Sequence, residues 1–67
     1  MRIVIEIETN NAAFQDHPNE LQKILTEAGK KATRLVQELK HNKGIPEGQQ
    51  NLLDTNGNKV GLVRVWR

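Results

Sequence analysis

The chain has 67 residues, with ten Lys and Arg against eight Asp and Glu, and no cysteine. This length allows one small hydrophobic core, near the lower limit at which a core alone stabilises a fold, so we expect a single domain over residues 1–67. The formal net charge of +2 is too small to mark a dedicated nucleic-acid binder, and the lack of cysteine excludes disulfides and thiolate metal ligands.

A β-strand is predicted over residues 2–8. Ile3, Ile5 and Ile7 alternate with valine and glutamate, and this apolar period of two is typical of a strand that turns one face to the core. The opposite face, which includes Val4, is left for water or a partner.

The connection after this strand is predicted to be rich in turns. Residues 9–16 lose the apolar period, and Asn10 and Asn11 favour turns because their side chains hydrogen-bond nearby backbone. Phe14 is the one large apolar side chain of the segment. We expect it to pack against the first turns of the helix that begins at Pro18.

An amphipathic helix is predicted from Pro18 to His41. Its apolar residues recur at intervals of three and four, which places them on one helical face. This apolar stripe consists of Leu21, Ile24, Leu25, Ala28, Ala32, Leu35, Val36 and Leu39. Residues 42–44, Asn-Lys-Gly, end the helix, and residues 45–48 form a loop that leads to a second strand at 49–54.

A β-hairpin is predicted next, because Asn56-Gly57 between two apolar runs is the strongest short-range signal of a two-residue turn. This turn pairs Leu53 with Val60 and Leu52 with Gly61. Alternation then places one set of residues beneath the helix, namely Leu52, Gly61, Val63 and Val65. The fold class is therefore α+β in the order β-α-β-β, with a single helix packed on one face of a three-stranded sheet and a C-terminal β-hairpin.

The other sheet face has no helix over it and is the candidate binding site. Its predicted binding residues are Val4, Glu6, Leu62, Arg64 and Trp66, with Leu53 and Val60 extending the apolar part. A contiguous exposed apolar patch marks an interface, and tryptophan is enriched among the residues that dominate binding energy. We therefore predict that this face binds a protein partner or forms a homodimer. The alternative is that Trp66 only covers the end of a small core.

The residue inventory argues against catalysis and against a metal or cofactor site. Serine, cysteine and tyrosine are absent, and the four threonines lie in no activating pattern. His17 and His41 stand at opposite ends of the helix, about 36 Å apart, so they cannot share a metal ion. Glu6 and Glu8 point to one face of the first strand, where a carboxylate pair can do acid–base chemistry, but such pairs are more typical of a solvated strand. We predict no enzyme, no cofactor and no metal.

Nucleic-acid or nucleotide binding is the alternative function. The basic surface that supports it consists of Lys23, Lys30, Arg34 and His41 on the helix side opposite the apolar stripe, extended by Lys43, Lys59, Arg64 and Arg67. The spacings Glu27–Lys31 and Arg34–Glu38, however, are typical of ion pairs on a solvated helix. This favours a structural role for the helix charges.

A family resemblance is carried by two segments, residues 5–16, Ile-Glu-Ile-Glu-Thr-Asn-Asn-Ala-Ala-Phe-Gln-Asp, and residues 54–61, Asp-Thr-Asn-Gly-Asn-Lys-Val-Gly. Asn-Gly turns are common, so the Asn-Ala-Ala-Phe-Gln-Asp run is the more specific part. Both segments resemble a group of small proteins that tailed bacteriophages and prophages encode. The resemblance implies a phage origin and a host-cell setting rather than a particular reaction.

The expected function is that of a non-enzymatic, phage-type accessory protein that binds a host protein and inhibits or modulates host transcription, replication or defence. The sequence shows neither the apolar core of a signal peptide nor a run long enough to span a bilayer. We therefore expect a soluble protein of the host-cell cytoplasm without membrane association.

Overall fold

The computed structural model describes residues 1–10 and 12–67 and has an α+β fold, as predicted. Its elements are β1 (Arg2–Ile7), α1 (Ala12–Asp16), α2 (Glu20–His41), β2 (Glu47–Leu53) and β3 (Lys59–Trp66). The strands form one antiparallel sheet in the order β1-β3-β2. α2 packs on one face of this sheet, mainly against β2 and β3.

Two connections differ from the sequence-based expectation. Residues 12–16, predicted as turns, form the short helix α1, because alanine has the highest helix propensity and because Ala13 is buried while Phe14 packs against the core. Asn11, to which a turn was also assigned, lies outside the described residues. Glu47 and Gly48, predicted as loop, belong to β2.

The apolar stripe of α2 reaches beyond the core. Its buried members are Ile24, Ala28, Ala32, Leu35 and Leu39, with Val36 partly buried beside them. Leu21 and Leu25 were predicted in the same set but are 42% and 49% exposed, so burial of the stripe is less complete over the first turns of α2. The opposite side of α2 is polar, and no helix in the described part of the chain is both long and apolar enough to cross a membrane.

The hairpin turn is one residue longer than predicted. The N–H of Gly57 donates to the Asp54 carbonyl oxygen at 3.0 Å, and the N–H of Asp54 donates to the Asn58 carbonyl oxygen at 2.9 Å. Gly57 has φ +83° and Asn56 has a negative φ, whereas the two-residue type I′ turn needs positive φ at both. The loop therefore comprises residues 55–57, a type I turn followed by a left-handed glycine.

A β-bulge compensates for the longer turn. Leu53 pairs with Lys59 instead of Val60, and the register shifts before Leu52, which pairs with Gly61 as predicted. The extra residue is Val60, which was assigned to the open face but is buried. Beyond the bulge, the predicted assignment of faces is correct, and the buried strand residues include Leu52, Val63 and Val65.

Polar contacts fix both ends of α2. At its start, the buried Glu20 carboxylate accepts hydrogen bonds from the Thr55 N–H at 2.9 Å and the Thr55 Oγ1 at 2.5 Å. At its end, the Arg67 guanidinium donates to the carbonyl oxygens of Leu39, Asn42 and Ile45. These bonds satisfy a buried acid and the unpaired carbonyls of the last turn, and they tie the helix to the hairpin.

The helix stripe gives the first testable prediction. Leu35→Ala should lower the free energy of unfolding by about 2–5 kcal/mol, because Leu35 is only 2% exposed and its loss leaves a cavity. Leu25→Ala is the matched control and should cost less than about 1 kcal/mol, because half of that side chain is already in water. Urea unfolding of dilute protein, followed by circular dichroism, measures both. Equal losses would contradict this placement of α2.

Gly61 tests how closely β1 and β3 approach, and Gly29 in α2 is its control. A Cβ added at Gly61 would lie 2.0 Å from the Glu6 carbonyl oxygen, so β1 would have to move, whereas a Cβ at Gly29 meets nothing within 4 Å. We expect Gly61→Ala to destabilise the protein by at least about 1–3 kcal/mol. Gly29→Ala should stabilise it by about 0.5–1 kcal/mol through helix propensity. The thermal midpoints should therefore move in opposite directions.

Candidate functional site

The structure brings the five predicted binding residues together on one face of the sheet. Val4 lies directly opposite Arg64, and Glu6 lies directly opposite Leu62. Trp66 follows Arg64 by two residues on the same strand, so alternation puts it on the same side. The buried Val63 and Val65 point the other way, toward α2, and no described element packs over this open sheet face.

Trp66, Arg64 and Glu47 form a connected unit on the open sheet face. The guanidinium carbon of Arg64 lies 5.2 Å from the centre of the Trp66 ring, within the range of a cation–π contact. Nε and Nη2 of the same guanidinium donate to Glu47 Oε2 at 3.1 and 2.9 Å. The indole thus lies against a guanidinium that is itself paired with a carboxylate.

Glu47 is the functional candidate that the sequence analysis missed. It was placed in a loop, although it lies directly opposite Trp66 in β2. The predicted pairing of Leu52 with Gly61, continued five residues back along β2, would have found this position. The signal was present, but the preceding proline favoured a loop.

The open sheet face is amphipathic and balanced in charge. The face and its border present three positive and three negative groups, namely Arg2, Lys59 and Arg64, and Glu6, Glu8 and Glu47. Val4, Leu62 and Trp66 are half-buried, Gln49 and Asn51 add exposed amides, and Leu53 is the most exposed apolar group at 54%. The face is therefore less apolar than predicted, with the indole as its largest anchor.

The candidate acid–base and metal residues do not converge among the described residues. Glu6 and Glu8 border an open depression that Lys59 and Leu62 also line. His17 precedes α2 and His41 is its last residue, and no cluster of three His, Asp or Glu side chains suited to a metal ion occurs in residues 1–10 and 12–67.

The basic residues are used differently from the prediction. Lys30, not Lys31, pairs with Glu27, at 3.6 Å, while Lys31 Nζ donates to the Asn51 carbonyl oxygen at 2.7 Å. The predicted ion pair between Arg34 and Glu38 does not form, so Arg34 stays available on the outer side of α2. Arg67, predicted to extend the basic surface, instead caps the helix.

Comparison with known proteins adds no relative. No family model, no curated protein and no solved structure matches the chain at a significant level.

The contact between Arg64 and Trp66 is testable by fluorescence, because the chain has one tryptophan. Arg64→Ala removes the group that covers the ring, so acrylamide quenching of Trp66 should increase, while stability should fall by only about 0.5–1 kcal/mol. Arg34→Ala, on the far side of α2, is the control and should leave quenching unchanged. Unchanged quenching in both variants would mean that the guanidinium does not shield the indole.

Proposed function

We propose that this protein acts by binding another protein through its open sheet face. The observation that supports this most is the Trp66–Arg64–Glu47 unit, an aromatic anchor in contact with an ion pair on a face that no described element covers. Tryptophan and arginine are the residues most enriched where binding energy concentrates. Trp66 already contacts Arg64, so part of the conformational entropy of ordering the two side chains is lost before binding.

The proposed partner is a host protein, and the proposed role is that of a phage accessory factor. The support is the sequence resemblance at residues 5–16 and 54–61, which implies a phage origin and a host-cell setting. A non-enzymatic mode fits this role, since occupying a surface is enough to inhibit or modulate transcription, replication or defence. Its effect would then scale with the fraction of target bound.

Charge balance favours a protein partner over a nucleic acid at this face. Phosphate binding needs unpaired cations, whereas Arg64 is bound to Glu47 and the face also carries Glu6. The alternative of nucleic-acid or nucleotide binding would have to use the outer side of α2, where Lys23 and Arg34 are exposed. Lys30 on that side is already paired with glutamate.

Capture from a bacterial lysate, treated with nuclease, tests the proposal. The immobilised protein should capture a host protein. The Trp66→Ala variant should bind the same host protein about thirtyfold more weakly, because losing a central buried aromatic commonly costs about 2 kcal/mol or more. The double variant Lys30→Glu with Arg34→Glu is the control and should capture the same protein.

The opposite pattern would replace the proposal by its alternative. If the protein binds an added oligonucleotide, and the folded double variant loses this binding while folded Trp66→Ala keeps it, the protein binds nucleic acid, and binding should then fall steeply with added salt. Homodimerisation through the open sheet face stays a prediction, and the experiment of the next subsection separates it from a different mode of self-association.

A further inference from the structure

α2 leaves the helix-facing side of β1 uncovered at Ile3 and Ile5, although Ile7 packs against the core. Ile3 and Ile5 lie directly opposite Val65 and Val63, so their side chains are on the same side of the sheet as that buried pair. Both valines are inaccessible to solvent, yet Ile3 is 48% and Ile5 41% exposed. The difference arises because α2 packs mainly on β2 and β3.

Leu25 lies on the flank of α2 that faces β1, nearer the start of the helix than the level of Ile3 and Ile5. Lys31 marks the flank of α2 nearest β2, because it donates to the Asn51 carbonyl oxygen. At about 100° per residue, Leu25 lies about 120° around the helix from Lys31, with the buried Ala28 between them. Leu25 is therefore on the flank toward β1. We call the uncovered surface formed by Ile3 and Ile5 the β1 shoulder.

β1 is also an edge strand, and among residues 1–10 and 12–67 no strand pairs with its outer backbone edge. The N–H of Glu8 donates to the Val60 carbonyl oxygen at 2.7 Å, which identifies the even-numbered residues of this strand as those that hydrogen-bond to β3. The odd-numbered Ile3 and Ile5 therefore direct their N–H and C=O groups away from the sheet. An edge that combines such groups with exposed apolar side chains is a template for pairing with another strand.

We propose that β1 pairs antiparallel with β1 of a second copy of this chain, about a two-fold axis at Val4. This register places Arg2 opposite Glu6 of the partner subunit, and opposite charges in directly opposed positions stabilise a sheet. It also places Ile3 opposite Ile5 of the partner subunit. The inference is independent of the proposed function, because it uses neither Trp66 nor the identity of a target.

The backbone supports this register. It joins odd-numbered residues to odd-numbered residues, which are the ones with outward N–H and C=O groups, and each such pair exchanges two hydrogen bonds. The dimer is a six-stranded antiparallel sheet with both copies of α2 on the same side. The two β1 shoulders meet between the helices, where each covers apolar surface that the other exposes.

The sequence of β1 favours a second copy over an unrelated peptide. Any extended segment could use the backbone edge, but Arg-Ile-Val-Ile-Glu at residues 2–6 is symmetric in its apolar residues and opposite in charge about Val4. An isologous interface requires this self-complementarity.

Charge reversal with rescue tests the register. In sedimentation equilibrium the protein should dimerise, and Arg2→Glu or Glu6→Arg alone should raise the dissociation constant about tenfold, because each places like charges opposite each other twice. The double variant restores opposite charges and should return close to the original value. Both side chains are exposed, so the fold should persist, which circular dichroism checks.

A cysteine provides a second readout that does not depend on affinity. Val4→Cys should form a disulfide-linked dimer under mild oxidation, because Cα atoms of a non-hydrogen-bonded antiparallel pair lie about 4.5 Å apart, within disulfide range. Asn51→Cys is the matched control, since it lies on the same sheet face but on β2. The chain has no other cysteine.

Three results would overturn the proposal. The first is a monomer at about 1 mM protein. The second is a dimer that single charge reversals leave unchanged and that Val4→Cys does not cross-link. The third is a dimer that Trp66→Ala dissociates while the charge variants do not, which would assign self-association to the open sheet face.

Discussion

A single helix is too narrow to cover a three-stranded sheet, and this constraint shapes the rest of the molecule. A helix with its side chains is about 10 Å wide, whereas neighbouring strands lie about 4.8 Å apart, so one helix covers about two strands. α2 covers β2 and β3. Both uncovered surfaces follow from this shortage: no described element packs on the open sheet face, and Ile3 and Ile5 of β1 lie beyond the helix, whereas Ile7 packs against the core.

Polar contacts decide which two strands receive the helix. Lys31 binds the backbone of β2, Glu20 binds the turn between β2 and β3, and Arg67 joins the residue after β3 to the end of α2. All three contacts join α2 to the hairpin or to the residue that follows it. The contacts of Glu20 and Arg67 also suit the helix dipole, because the acid lies at the start of α2 and the cation at its end. Apolar surface on the β1 side is therefore left in water. A partner that buried this surface would gain about 25 cal/mol of free energy for each Å².

Much of the fold could be predicted because its signals are local and repeated. The alternation of β1 and the stripe of α2 each involve several residues, so single exceptions do not alter them. The turn was harder, because Asp54 accepts hydrogen bonds from the N–H groups of Asn56 and Asn58 and so favours the three-residue loop over the type I′ turn. The predicted faces of β3 beyond the bulge are still correct, because the extra residue Val60 offsets the longer turn. The predicted pairing of Leu52 with Gly61 is thereby kept.

The same distinction explains what could be predicted of the sites. Alternation assigns each strand residue to a face, so the open sheet face could be predicted. It does not show how much of the other face the helix covers, so the exposure of Ile5 could not be predicted. The two surfaces are nevertheless connected. Trp66 lies opposite Arg2, and in the proposed dimer Arg2 lies opposite Glu6 of the partner subunit, which continues the row across the shared sheet. Self-association at β1 would therefore join the two open sheet faces into one continuous surface, large enough to place two indole anchors against a single target.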